Sequence, residues 1–195
     1  MKINAIVFDM DGTIVDSQLD FNQMRDEIGI PKDFPILDFL EDIQDEKLKE
    51  KGFAIVEKHE LTGASKATPL RDIDSFIQLL MEANFPIGIL TRNSKKVTDL
   101  TLAKFPWEFN YVLTRDCAPP KPNPEGLFLM AKKFNTPIEN LLYIGDYDFD
   151  LETARNAGAI SGLFLNQRNS HLAKAADLSI TNYMDLVSEL KLSEL

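Results

Sequence analysis

Two carboxylates two residues apart, Asp9 and Asp11, close an apolar run that extends from Ile3 to Phe8. A short β-branched and aromatic run ending in a turn signal reads as a buried strand of a parallel sheet. Side chains alternate along a strand, so Asp9 and Asp11 leave from one face and Met10 from the other. At about 3.3 Å per residue the two carboxylates stand roughly 6–7 Å apart on an extended chain, a gap suited to a metal ion or a phosphoryl group. Gly12 allows the sharp exit that a side chain would obstruct, and Thr13 follows it. Open α/β sheets bind ligands outside the carboxyl ends of their strands, where this pair falls. The plainer alternative is an Asp-Gly turn carrying two solvated acids.

Three later segments weigh against that alternative. Ile87-Gly88-Ile89-Leu90 reads as a buried strand and ends in Thr91-Arg92-Asn93-Ser94. Tyr111-Val112-Leu113 reads as another and runs into a proline-rich loop, Thr114 to Pro124, that holds Lys121. Leu141 to Ile144 ends in Gly145-Asp146-Tyr147-Asp148-Phe149-Asp150. Four successive strand ends therefore carry polar groups: Asp9/Asp11, Thr91, Lys121 and Asp146/Asp150.

The stretch Ile6-Val7-Phe8-Asp9-Met10-Asp11-Gly12-Thr13 resembles the first signature of the haloacid dehalogenase-like phosphatases. Thr91, Lys121 and Asp146/Asp150 match the other three in order, and Lys121-Pro122-Asn123-Pro124 is similar to the family's Lys-Pro-x-Pro form. The resemblance spans about residues 5–165 and is nearest to the phosphoglycolate phosphatase-like subfamily. It implies that Asp9 attacks phosphorus and forms an aspartyl phosphate, splitting one hard step into two. Asp11 fits the acid that protonates the leaving oxygen and then takes a proton from water. Thr91 supplies a hydroxyl donor and Lys121 a point charge, because phosphoryl transfer depends mainly on positioning and charge stabilisation.

The resemblance further implies Mg²⁺, an ion that favours octahedral oxygen coordination. Its ligands would be Asp9, the backbone carbonyl of Asp11 and Asp146. Asp150 would join through water or by holding Lys121, or else serve as an acid at a helix N-terminus. Asp148 reads as a helix cap. Tyr147 stands where the family often has Ser or Thr, and Arg92 where many relatives have Asn, with Asn93 one residue later. Arg92 is either a surface arginine or a reader of a substrate anion.

The expected activity is Mg²⁺-dependent hydrolysis of a small phosphorylated metabolite, with phosphoglycolate the leading named candidate. A phosphomutase of the same superfamily would share every signature. A dehalogenase would lack the second acid. A phospho-accepting receiver domain places its aspartate on a middle strand ahead of Thr and Lys, unlike this chain, and a silent phospho-ligand-binding protein would not need every group intact.

These groups must be positioned by the elements between them. Strands alternating with helices predict an α/β fold with a doubly wound parallel sheet. Between the first strand and Pro69, the periodicity is helical. Phe21, Met24 and Ile28 precede a stop at Gly29-Ile30-Pro31, Ile36 to Leu40 follow Pro35, and a charged run continues to a break at Thr62-Gly63-Ala64-Ser65. Residues 18–68 are therefore expected to form a small helical cap inserted into a core made of residues 1–17 and 69–195. Pro69 is expected at the first position of a helix running to Met81. The chain should finish with an edge strand at Leu178–Ile180 and an amphipathic helix at 184–190.

Composition limits the partners. In 195 residues, 21 basic against 31 acidic side chains give a formal charge of −10, which disfavours nucleic acid and anionic membranes. A small anionic substrate stays compatible, since a metal and one or two local cations reverse the field at a site. Cys117 is the one cysteine, and His59 and His171 lie in no zinc-type motif. Asp9 and Asp11 interrupt the first apolar run, so it does not read as a signal segment, and a cytoplasmic setting is expected.

Overall fold

The computed structural model describes residues 1–32 and 34–190. Strand β1 (Ala5–Phe8) lies at the middle of the molecule, entirely buried. It leads to the short β2 (Val15–Asp16) and then to three helices, α1 (Phe21–Ile28), α2 (Ile36–Asp42) and α3 (Glu46–Lys66). The chain returns through β3 (Thr68–Pro69) and α4 (Ile73–Glu82) to β4 (Ile87–Leu90), α5 (Lys95–Leu102) and β5 (Tyr111–Leu113). Helix α6 (Glu125–Lys133), β6 (Leu141–Gly145), α7 (Asp148–Ala157), β7 (Ile160–Phe164), β8 (Leu178–Ile180) and α8 (Leu186–Glu189) follow.

Six strands form one parallel sheet in the order β5-β4-β1-β6-β7-β8. The chain winds outward from β1 to β4 and β5, then crosses back to lay β6 on the other flank of β1. That reversal makes the β1–β6 boundary a topological switch point, the place where open α/β sheets leave a crevice. Alternation divides the strands between two layers. Ile6, Phe8, Ile87, Ile89, Leu142 and Ile144 pack with α4, Tyr183 and Leu186 on one face. Val7, Leu90, Leu113, Leu141 and Tyr143 pack with α6 and α7 on the other. Tyr183 stacks on Phe164 at 4.8 Å and donates to the Thr13 carbonyl at 2.7 Å, which fixes the turn after β1 from beneath.

Helices α1–α3 pack around a core of their own, built on Met24, Ile30, Ile36, Leu40 and Val56. Asp20 and Asp45 cap α1 and α3 by accepting backbone N–H groups, and Gly29 ends α1 at φ +87°. The expected break at Thr62-Gly63-Ala64-Ser65 does not occur, since α3 runs unbroken to Lys66. Gly63 is needed there for close approach, because a Cβ would stand 2.8 Å from Leu19 and 3.0 Å from the Ser17 carbonyl. Pro69 is likewise not the start of a helix. It pairs with Val15 in the antiparallel ribbon β2–β3, and α4 begins only after a turn at Asp72, φ +63°. Two residues are too short for strand alternation to be seen, so this ribbon left no periodic signal. At the end of the chain a 3₁₀ turn, Tyr183–Asp185, replaces the first turn of the expected helix, and α8 covers only Leu186–Glu189.

Candidate active site

Asp9, Thr91, Lys121 and Asp146 extend from the carboxyl ends of β1, β4, β5 and β6, which are neighbours in the sheet. The backbone continues the ladder one residue further at two of them: Asp9 N–H donates to the Ile144 carbonyl (2.8 Å) and Thr91 N–H to that of Leu113 (3.0 Å). Lys121 arrives from the loop after β5, and its ammonium bridges Asp9 Oδ1 at 2.7 Å and Asp150 Oδ1 at 2.6 Å. All three side chains are buried. Burial opposes the charge on Lys121, yet the two carboxylates outweigh it and hold the ammonium above its usual range. Burial also lifts the Asp9 carboxyl to about 7, against the pull of Lys121 and with repulsion from Asp150 and Asp11 adding to it.

Asp150 is the most tightly held of the acids. It accepts from Lys121, from the buried hydroxyl of Tyr143 (2.9 Å) and, as the third residue of α7, from the Tyr147 N–H (3.0 Å). The helix cap is thus Tyr147, with Asp150 reaching back to it; Asp148, expected as the cap, is the first residue of the helix. A Cβ on Gly145 would collide with the Asp150 carboxylate, so this glycine lets the acid fold beneath the strand end.

Asp11 has separate partners. Ser17 Oγ donates to one of its oxygens and Asn93 Nδ2 to the other. Burial raises its carboxyl, and those two bonds restrain the rise. Thr91 Oγ1 accepts the Asn93 N–H at 3.1 Å, which leaves the threonine proton available to donate. The pair Ser17 and Asn93 was not assigned from the sequence. Asn93 had a signal, standing one place beyond the position where relatives carry it, but Ser17 lies in a stretch with no pattern.

Asp146 has no cationic partner within bonding range among the described residues. Asn166 Nδ2 donates to its Oδ2 (3.2 Å) and Asn169 Nδ2 to its backbone carbonyl (2.7 Å), both from the turn after β7. Burial first, then repulsion from Asp150 and Asp9, pushes its carboxyl up to about 8. Gly12, at φ +77°, is required opposite it, since a Cβ there would strike the Asp146 carboxylate. One oxygen each from Asp9, Asp146 and Asp150 lies within 4.8 Å of the others. A hard, oxygen-seeking cation fits this donor set, and four carboxylates around a single ammonium leave negative charge for it to neutralise.

Above these groups is a cavity of about 920 Å³. The core acids form its floor, and cap residues including Phe21, Met24, Ile36 and Leu37 line it from the other side. Helix α3 is tied down by Arg115, which grips its buried Glu60 with both terminal nitrogens (2.7 and 3.0 Å). Lys104 donates to the carbonyls of Ala64, Ser65 and Ala67 at 3.2, 2.9 and 2.7 Å, closing the carboxyl end of α3. Arg92 reaches the cap as well, pairing with Asp38 of α2 at 2.9 Å. His59 stands within the cap, 3.2 Å from Glu27, and His171 is exposed.

The family model for haloacid dehalogenase-like hydrolases matches residues 18–162, and the chain belongs to that family. An uncharacterized hydrolase of Saccharomyces cerevisiae is 30% identical over 95% of this chain and 89% of its own length. A phosphoglycolate phosphatase of Aquifex aeolicus is 24% identical over 95% of both chains. Among solved structures, a HAD hydrolase of Entamoeba histolytica superposes with a TM-score of 0.81 at 18% identity, covering 99% of this chain and all of that one (100%). Among the described residues, no helix is long and apolar enough to cross a membrane.

Proposed function

We propose that this hydrolase removes the phosphoryl group from a small phosphorylated metabolite in the cytoplasm, through a phosphoenzyme on Asp9 and with Mg²⁺ as cofactor. The observation that carries the reading is the bridge of Lys121 between Asp9 and Asp150, beside an Asp146 that forms no ion pair among the described residues. Lys121 holds the Asp9 carboxylate in one orientation and partly neutralises an incoming phosphate. Asp9 then bonds to phosphorus as the ester oxygen leaves. Asp11, kept more basic than an ordinary carboxyl by burial, gives its proton to that oxygen and afterwards takes one from the water that releases phosphate. Ser17 and Asn93 aim the Asp11 carboxyl, and Thr91 donates to a phosphoryl oxygen.

Mg²⁺ would be held by Asp9, Asp146 and the Asp11 carbonyl, with Asp150 behind them, and when bound it supplies the positive charge that lets a phosphate approach these acids. Phosphoglycolate is the first substrate to try, in view of the Aquifex relative and of similarly named proteins. The cap, residues 18–68, closes the cavity over the reacting group and excludes water.

The test is release of inorganic phosphate from p-nitrophenyl phosphate and phosphoglycolate, with Mg²⁺ and after chelation. Turnover that needs Mg²⁺ and returns when it is restored is expected. No turnover of any phosphomonoester, or full turnover in excess chelator, would overturn the corresponding half of the proposal.

A further inference from the structure

Three arginines line the cavity and a fourth, Arg115, lies beside Arg92; Arg25 and Arg115 are held by partners within the protein. Both terminal nitrogens of Arg115 are engaged by Glu60, and one of them also meets the Arg92 carbonyl at 2.9 Å. Arg25 donates through Nε and Nη1 to the carbonyls of Phe34 and Phe21. Arg168 is exposed on the rim. Arg92 differs from all of these. It follows Thr91 directly, so the strand end that delivers the hydroxyl also delivers a guanidinium to the cavity wall.

Three contacts fix the orientation of Arg92. Its guanidinium carbon stands 5.0 Å from the centre of the Phe149 ring, its backbone carbonyl is held by Arg115, and Nη2 donates to Asp38. Its Nε is nevertheless buried and, among the described residues, has no hydrogen-bond partner. A guanidinium carries five donors in a planar fork that matches a carboxylate or phosphoryl group bidentately. Leaving a buried donor of a charged group unpaired is unfavourable, so an acceptor is missing here. The present counter-ion, Asp38, is the less buried member of the pair at 42% side-chain exposure against 17%. It can withdraw into water at little cost, as a half-exposed ion pair contributes little.

We propose that Arg92 is a specificity determinant that binds a second anionic group of the substrate, a carboxylate or second phosphoryl, which takes the place of Asp38. The inference rests on the phosphatase reading above and adds the substrate class: phosphomonoesters whose organic part ends in an anion. The phosphoryl group engages Lys121 and Thr91, whereas the far end engages Arg92 across a cavity large enough to separate them.

The experiment uses matched pairs, phosphoglycolate with ethyl phosphate and propanediol bisphosphate with propyl phosphate, so that carboxylate and phosphoryl are read separately. For each, kcat/KM and calorimetric binding are measured on the wild type and on Arg92→Ala, Arg92→Lys, Asp38→Asn and Arg168→Ala. Arg92→Ala is expected to lower kcat/KM for one or both compounds that carry a second anionic group by about 10- to 100-fold, and for their partners without one by less than about 3-fold. Arg92→Lys keeps the charge but loses the fork and should fall between. Asp38→Asn is expected to leave the substrates with a second anionic group unchanged or improve them, because it removes a competitor. If the pair served only to dock the cap, Asp38→Asn would copy Arg92→Ala, and the proposal would be wrong. It would also be overturned by equal losses within each matched pair, or if Arg168→Ala removed the preference instead. Should no compound turn over, selective loss of binding of the compounds with a second anionic group in Arg92→Ala would uphold the role of Arg92 and count against the hydrolytic chemistry alone.

Discussion

Lys121 Nζ lies 2.7 Å from Asp9 Oδ1, two groups separated by 112 residues and brought together as the loop after β5 reaches past β4 to the end of β1. The same ammonium is shared with Asp150, so one positive charge organises two buried acids. Replacing it with the similarly shaped Lys121→Met strands both carboxylates in a site already short of positive charge. We expect unfolding free energy at neutral pH to fall by about 3 kcal/mol, the usual cost of removing one partner from a buried pair. Turnover should fall by about 10²-fold or more, since the phosphate loses a preorganised charge. Urea unfolding and kcat/KM check the two effects, and a variant unchanged in both would show that another cation serves the site.

The raised carboxyls make stability depend on pH in a definite direction. Asp9 and Asp146 titrate at about 7 and about 8 in the folded protein, mainly through burial, against an ordinary 3.8. Between those limits the folded state holds protons that the unfolded chain has lost. Metal-free protein should therefore lose stability as pH rises from about 4 to about 8, and the loss should level off above that range. Mg²⁺ binds the deprotonated acids, so its stabilising effect should grow across the same window. Urea midpoints at several pH values, with Mg²⁺ and with chelator, test this. A metal effect that shrinks as pH rises would contradict it.

Asp11 accepts from Ser17 and Asn93 and forms no ion pair among the described residues, an environment suited to a carboxyl that shuttles a proton. Asp11→Asn cannot donate one. Alkyl phosphates, whose leaving oxygen needs protonation, should then suffer by about 10²-fold or more, and p-nitrophenyl phosphate by much less. A leaving-group series gives the answer, and equal losses along it would remove the acid role.

Glu60 and Arg115 hold α3 to the loop after β5 by a bidentate pair with the carboxylate buried. Arg115→Ala leaves Glu60 without its counter-charge and should cost about 3 kcal/mol in urea unfolding. Arg115→Met with Glu60→Leu should cost less than Arg115→Ala alone, because no charge is stranded. Additive losses would mean that packing, not charge, dominates this contact.

The sheet was legible because each strand is a short apolar run closed by polar residues, and the helices between them carry their own periodicity and caps. The strand ends bearing Asp9, Thr91, Lys121 and Asp146 were visible for the same reason, and their match in order to the family's signatures implied a shared site. Pairings between distant residues were not visible. Nothing local marks Glu60 for Arg115 or Ser17 for Asp11, nor the Tyr143 hydroxyl on a buried strand for Asp150. Gly63 and Pro69 misled because both are read locally as breakers. In the fold Gly63 answers to the Ser17 carbonyl, and Pro69 to a two-residue ribbon. Asn166 and Asn169 were passed over because a turn after β7 carries no motif, although its position beside β6 puts it next to Asp146.

The central claim is covalent chemistry at Asp9. The most direct measurement is acid quenching during turnover of phosphoglycolate or p-nitrophenyl phosphate with Mg²⁺, followed by peptide mass spectrometry. The account predicts one phosphoryl group on the peptide that contains Asp9, absent in Asp9→Asn, which should also lose turnover by about 10³-fold or more. Turnover at the wild-type rate by Asp9→Asn, or a phosphoryl group found on a different residue, would contradict it.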